Sequence, residues 1–222
     1  MSRRLVLIRH GRVDVDARDF RETVRGRQWD PPLGDAGREQ AEYLAARLAE
    51  GPPPAAVYVS PFRRCLETLA PYRERTGCTA SVVDDIGEVF VGDWEGVPFE
   101  DLVAENEDFI RRRLRDHEAI FAQAPNAETG EHLRTRVVAA VETMLEVSPS
   151  GDILVVTHGG VINAYVGHVV GLIQDMFFLP DNSSLNVVEV DGGARRLRFL
   201  NDVAHLWYPA LWSPPDRSVG GV

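Results

Sequence analysis

Residues 5–11 read Leu5-Val6-Leu7-Ile8-Arg9-His10-Gly11, and residues 153–160 read Ile153-Leu154-Val155-Val156-Thr157-His158-Gly159-Gly160. Each is a short apolar run that ends in a polar residue, a histidine and a glycine. A run of this length without alternation predicts a strand buried on both faces. Two such strands, separated by segments of helical periodicity, predict a mostly parallel sheet with helices packed on both sides. In sheets of that kind ligands bind beyond the carboxyl ends of the strands. Both histidines fall at that position.

The rest of the chain fits the same plan. Ala55 to Val59 is another buried strand, ending at Ser60-Pro61, and Ser81 to Val83 is a further one. Asp35 can cap a helix that carries Ala41, Leu44, Ala45 and Leu48 on its apolar face and is stopped by Gly51-Pro52-Pro53-Pro54. Pro61 suits the first turn of a helix bearing Arg63, Arg64, Leu66, Thr68 and Leu69. Glu131 to Val147 is helical, with Leu133, Val137, Val141 and Leu145 in one stripe. An apolar helix follows Gly160. Leu185 to Val190 and Arg195 to Leu200 form a hairpin around Asp191-Gly192-Gly193. The stretches from Arg12 to about Gly34 and from Asp85 to Pro98 read as loops, and Glu100 to about Gln123 as a charged helical segment. The expectation is one α/β domain over residues 1–222, a three-layer α/β/α sandwich, with a helical cap or insert around 98–130.

The composition narrows the function. The chain has 222 residues, 44% hydrophobic and 26% charged, with a formal net charge of −10. That balance argues against nucleic acid or an anionic membrane surface as partner. The apolar run at the N-terminus is too short for a signal peptide. No stretch approaches the ~20 apolar residues of a membrane span. The expected location is therefore cytoplasmic. Cys65 and Cys78 lack metal-site spacing and are too few for a disulfide framework, so both are expected to be reduced. An acidic protein that binds an anion must gather positive charge locally.

Four elements offer chemistry. Arg9 is costly to bury beside His10 without an anionic partner, and Gly11 lets the backbone turn tightly against a ligand. Ser60-Pro61-Phe62-Arg63-Arg64-Cys65-Leu66-Glu67-Thr68 puts two arginines at a helix start, where anions are favoured and the guanidinium fork matches phosphate oxygens. Glu88 stands between glycine and apolar residues in Ile86-Gly87-Glu88-Val89, where desolvation would raise its pKa toward the range of a general acid. His158-Gly159-Gly160 repeats the first arrangement and opens a helix.

Taken together these motifs resemble the histidine phosphatase superfamily, which includes the cofactor-dependent phosphoglycerate mutases. The matching residues are Leu7 to Gly11, Ser60 to Arg64 with Thr68, Gly87-Glu88 with Gly92 and Trp94-Glu95-Gly96, and Val156 to Ile162. Weaker echoes are Gly26 to Leu33, Gly130-Glu131, Asn182-Ser183-Ser184, and Asn201-Asp202 with His205-Leu206. They occur in the family's order across nearly the whole chain. The resemblance implies a phosphoglycerate mutase-like fold and a set of roles. Neutral His10 would attack phosphorus. Arg9, Arg64 and a protonated His158 would surround the phosphoryl oxygens, with Gly11 and Gly159 at the pocket and Ser183 or Ser184 adding a contact. Glu88 would protonate the leaving alcohol and then activate water. The family arginine falls four residues after the serine, at Arg64, so Arg63 would face solvent. No metal and no cofactor are implied.

Within the family a phosphatase is expected over a mutase, and over a catalytically inactive phosphate-binding module because His10, Arg64, Glu88 and His158 are all present. Arg12-Val13-Asp14-Val15-Asp16 lacks the Glu or Gln usual after the first glycine, and Asp16 would repel a second phosphate. Arg111, Arg112, Arg113 and Arg115 are read as a solvated face among acidic neighbours. The expected partner is a small phosphomonoester substrate, and a homo-oligomer is left open. Phe90, Trp94, Phe109, Trp207 and Trp212 are read as apolar pocket walls or as core. His117, His132 and His168 are read as surface or packing residues, and His205 is placed near the pocket mouth.

Overall fold

A computed structural model of the protein describes residues 2–97, 124–148, 150–172 and 176–207, together with the isolated positions 101, 104, 108 and 174. The central sheet has six strands: β1 (Arg3–Arg9), β4 (Ala56–Val59), β5 (Ser81–Val82), β6 (Ile153–Thr157), β7 (Leu185–Asp191) and β8 (Ala194–Asp202). Their spatial order is β5-β4-β6-β1-β7-β8. The first four are mutually parallel, and β7 and β8 add an antiparallel edge.

The apolar runs are buried on both faces because both faces carry helices. Leu5, Leu7, Ile153 and Val155 point to one side, against the helices α3 (Gly130–Val147) and α4 (Gly159–Val170). Val6, Ile8, Leu154 and Val156 point to the other, against α1 (Asp35–Ala49) and α2 (Arg63–Thr76). The period-two alternation of strand side chains thus supplies two cores from one run. The stripe Leu133, Val137, Val141 and Leu145 is buried in the first of them. The fold is the expected α/β/α sandwich.

Some local readings change. The stretch after Gly11 is not all loop: β2 (Phe20–Thr23) and β3 (Gly26–Trp29) pair as an antiparallel hairpin outside the main sheet. Asp35 is inside α1 rather than capping it; Gly34 holds the cap position and Asp35 pairs with Arg38. Pro61 lies just before α2, whose cap position is Phe62. Of the insert expected around 98–130, residues 98–100, 102–103, 105–107 and 109–123 fall outside the described residues, and with them Phe109, Arg111, Arg112, Arg113, Arg115 and His117. Trp212 also lies outside them. Among the described residues no helix is long and apolar enough to cross a membrane.

Candidate active site

β1 and β6 are neighbours in parallel register, with Ile8 opposite Val156 and Arg9 opposite Thr157. The next residue of each strand end is a histidine, so the register itself brings His10 beside His158. Their ring centroids are 5.3 Å apart with the planes at 61°. The His10 amide donates to the Thr157 carbonyl at 3.0 Å and continues the ladder one step past the strands.

The two rings are held differently. Nδ1 of His10 lies 2.8 Å from the Gly11 carbonyl oxygen. A carbonyl only accepts, so Nδ1 carries the proton and Nε2 keeps its lone pair. Burial, with Arg64 and Arg9 nearby, pushes the His10 pKa well below its ordinary value, so the ring is neutral. Nε2 of His158 lies 2.7 Å from the Ser60 hydroxyl oxygen, and the Cys65 sulfur is 3.5 Å from the same nitrogen. Phe62 packs edge-on against the His158 ring with centroids 5.0 Å apart. His158 was expected to be protonated. Instead burial and then Arg64 push its pKa well down, so it is neutral when no anion faces it.

Positive charge surrounds the pair. Arg9 and Arg64 are both buried. Arg9 donates to the Pro180 carbonyl. Arg64, in the first turn of α2, donates to the Trp29 carbonyl at 3.1 Å, stacks over Phe62 at 4.5 Å and sits 3.7 Å from Asp30. Arg63 points outward as its position predicts, is exposed, and pairs with Glu67 at 2.6 Å. The α2 start is tied to the β1 turn through Thr68, whose hydroxyl accepts from the Gly11 amide at 2.9 Å and donates to the Arg64 carbonyl at 2.6 Å.

Glu88 is buried at the same place. Its Oε1 accepts from the Val89 amide at 3.0 Å and from the Gly160 amide, at the start of α4, at 3.2 Å. A Cβ at position 160 would stand 2.6 Å from that oxygen, so only glycine permits the approach. Among the described residues Oε2 has no hydrogen-bond partner. Burial raises the Glu88 pKa, against the opposing pull of the Val89 amide, Arg64 and Arg9. A neutral base and a carboxyl biased toward its acid form thus share one cationic pocket. That arrangement suits in-line attack on an anionic ester with protonation of the leaving oxygen.

The profile of the histidine phosphatase superfamily, branch 1, matches residues 5–203. The chain belongs to the histidine phosphatase superfamily. It is 27% identical over 203 residues to a metal-independent phosphoserine phosphatase of Arabidopsis thaliana, covering 91% of this chain and 82% of that protein. It is 28% identical over 169 residues to a glucosyl-3-phosphoglycerate phosphatase of Mycobacterium tuberculosis, covering 73% of each. Among solved structures, YhfR of Bacillus stearothermophilus superposes with a TM-score of 0.76 at 25% identity, covering 91% of this chain and 98% of that one.

In this member of the superfamily the structure gathers Arg9, His10, Gly11, Arg64, Glu88, His158 and Gly159 at the joined ends of β1 and β6. Ser183 is close by, and of the two contacts expected from it the backbone one is already taken. Its φ is +61°, its amide donates to the Arg9 and His10 carbonyls at 3.1 Å, and so its backbone N–H is committed to the strand end. Its hydroxyl is buried without a partner among the described residues. Of the described aromatics, Phe90 and Trp94 are half-buried and Trp207 is exposed. The ring that flanks the histidines is Phe62. His132 and His168 lie on the surface as expected, and His205 accepts from Arg47 at 3.1 Å through Nδ1. Among the described residues no three His, Cys, Asp or Glu side chains are grouped to hold a metal ion.

Sequence reading gave Gln28 only as part of a weaker echo and passed over Glu128 and Arg136. Gln28 is buried on β3 and donates to the Glu88 carbonyl at 3.3 Å. Glu131, picked out with Gly130, is exposed in the first turn of α3. The acid that reaches the loop carrying Glu88 is Glu128, one residue before the cap Thr129. The signal available was a Glu just ahead of a Thr cap, with Arg136 eight residues on and facing the same side.

Proposed function

We propose that the protein is a metal-independent phosphomonoesterase that acts on a small phosphorylated metabolite through a phosphohistidine at His10. The observation that carries this reading is the pairing of His10, neutral with a lone pair at Nε2, with the unpartnered Oε2 of Glu88 inside a pocket walled by Arg9 and Arg64. In the first step the Nε2 lone pair forms a bond to phosphorus, the ester P–O bond breaks, and the Glu88 proton goes to the departing alkoxide. In the second step Glu88 takes a proton from water as its oxygen attacks phosphorus, the P–N bond breaks, and inorganic phosphate leaves. The two guanidinium groups counter charge on the transferring oxygens throughout, the electrostatic contribution that dominates phosphoryl transfer. A dianionic ester would also draw a proton onto His158, restoring the cationic role that the family resemblance assigns to it.

A phosphatase is favoured over a mutase by the segment after Gly11. Asp14 and Asp16 are exposed there, and the Asp16 amide bonds to the Asp14 carboxylate at 3.1 Å. That acidic turn is a poor neighbour for a second phosphate. The relatives named for phosphoserine and glucosyl-3-phosphoglycerate support the same class.

The test is phosphate release from a panel of phosphomonoesters with a metal chelator present, comparing the protein with His10→Ala. Release that persists under chelation and disappears in the variant is expected. Interconversion of phosphoglycerates primed by a bisphosphate, without net phosphate release, would replace the phosphatase with the mutase.

A further inference from the structure

The Glu88 carboxyl has one oxygen held by two amides, but its backbone is held from another direction. Arg136, on the second turn of α3, reaches back under the loop that carries Glu88. Its Nη1 donates to the Asp85 carbonyl at 2.7 Å and to the Gly87 carbonyl at 2.9 Å. Its Nη2 donates to the Glu88 carbonyl at 3.3 Å and to Glu128 Oε2 at 2.8 Å, and its Nε donates to Glu128 Oε1 at 2.6 Å. A guanidinium has five N–H bonds, and here each has an acceptor. Glu128 is itself fixed to the same loop: its amide donates to the Phe90 carbonyl at 2.8 Å, and its Oε2 accepts from the Phe90 amide at 3.3 Å. The ion pair is nearly buried, with the Arg136 side chain 13% and the Glu128 side chain 7% exposed. Burying such a pair to hold three carbonyls of one loop is costly, and a core packed with apolar residues would serve stability as well.

We infer that Arg136, anchored by Glu128, is the positioning residue for Glu88, fixing the carbonyls of Asp85, Gly87 and Glu88 so that the free carboxyl oxygen faces the leaving group. The inference rests on Glu88 being the proton donor. Arg136 touches no reacting atom in this scheme; it acts through the backbone of the acid. The geometry needs the planar fork, since one lysine ammonium cannot address three carbonyls and a bidentate carboxylate. Arg136 also places a positive charge that favours the Glu88 carboxylate.

The experiment compares two leaving groups. p-Nitrophenolate departs without a proton, whereas an alkoxide needs one. The esters are p-nitrophenyl phosphate and the alkyl phosphomonoester hydrolysed fastest in the panel above. Glu88 also serves the second step, which both esters share, so the comparison is read on kcat/KM, which ends at release of the alcohol. Misplacing the acid in Arg136→Met should lower it about 100-fold for the alkyl ester and by less than about tenfold for the aryl ester. Arg136→Lys should fall almost as far on the alkyl ester, because charge without the fork does not restore the position. The alkaline limb of the pH profile should move up in Arg136→Met and stay in place in Arg136→Lys. Equal losses on both esters, or no loss, would overturn the inference. Should Arg136→Met fail to fold, Glu128→Gln and Arg136→Lys carry the same comparison. Glu88→Gln is the control: it must show the leaving-group split, and equal losses there would remove the proton-donor assignment itself rather than the positioning.

Discussion

The turns after β1 and β6 are near copies in sequence, yet they hold their histidines in opposite ways. Both are apolar strands that end in histidine and glycine at a shared edge. At the first turn the backbone takes the Nδ1 proton of His10 and leaves Nε2 reactive. At the second a side chain from another strand end, Ser60, takes Nε2 of His158, with Cys65 beside it and Phe62 against the ring. A histidine bonded to its own turn is a nucleophile with one exposed lone pair. A histidine bonded sideways is a fixed polar wall whose charge depends on what faces it. The difference lies in the partners: that of His10 is its own turn, and those of His158 come from α2 and the residues between β4 and α2.

Unequal substitutions should expose that division. His10→Asn removes the only atom that bonds to phosphorus in the scheme, and phosphate release should fall by about 10^4-fold or more, with no acid-labile phosphoenzyme trapped on quenching. His158→Asn should cost about 10²- to 10³-fold, the range for one lost donor at a developing charge, and should still yield some phosphoenzyme. Equal losses would mean that the two rings are not specialised. Ser60→Ala leaves both histidines in place and frees only the second, so a loss of about tenfold is expected, with the nucleophile unaffected.

The smallest effect is on stability. Both rings are buried neutral with pKa values well below the unfolded value of about 6.5. Below that pH the unfolded chain binds protons at these positions and the native protein does not, so stability falls as pH drops from about 6.5. Glu88 acts the other way, because its raised pKa lets the native protein keep a proton that the unfolded chain has lost just above about pH 4.3. Thermal melts between pH 7 and 5 without phosphate should show the midpoint falling on acidification, and His158→Asn should flatten that fall. A midpoint indifferent to pH over this range would contradict the neutral burial of both rings. For catalysis the same shifts predict a bell, limited on the acid side by protonation of His10 and on the alkaline side by deprotonation of Glu88.

Much of this was legible from the chain itself. Apolar runs of four or five residues between turn signals disclosed β1, β4 and β6, and helical spacing disclosed the stripe on α3. The family resemblance, which puts its arginine four residues after the serine, separated buried Arg64 from exposed Arg63. What escaped has a common cause. The hairpin β2–β3 is short and charged, and its pairing is supported by neighbours far along the chain: Arg21 stacks on Phe62, and Gln28 bonds to the Glu88 carbonyl. Arg136 and Glu128 carry the composition of a solvated helix start, and only the fold turns them inward. The charge expected on His158 depends on an anion facing it, because sequence shows the cations of a site before it shows how burial weighs against them.

The register between β1 and β6 also carries a kinetic consequence. Arg4 and Asp152, which meet beside that pairing, are 148 positions apart in the chain. No local segment can therefore carry the chemistry, and the loop-closure entropy of that join must be met before His10 and His158 meet at all. During refolding, helical signal should return ahead of turnover, and recovery of activity should report the closing of one long-range strand pair.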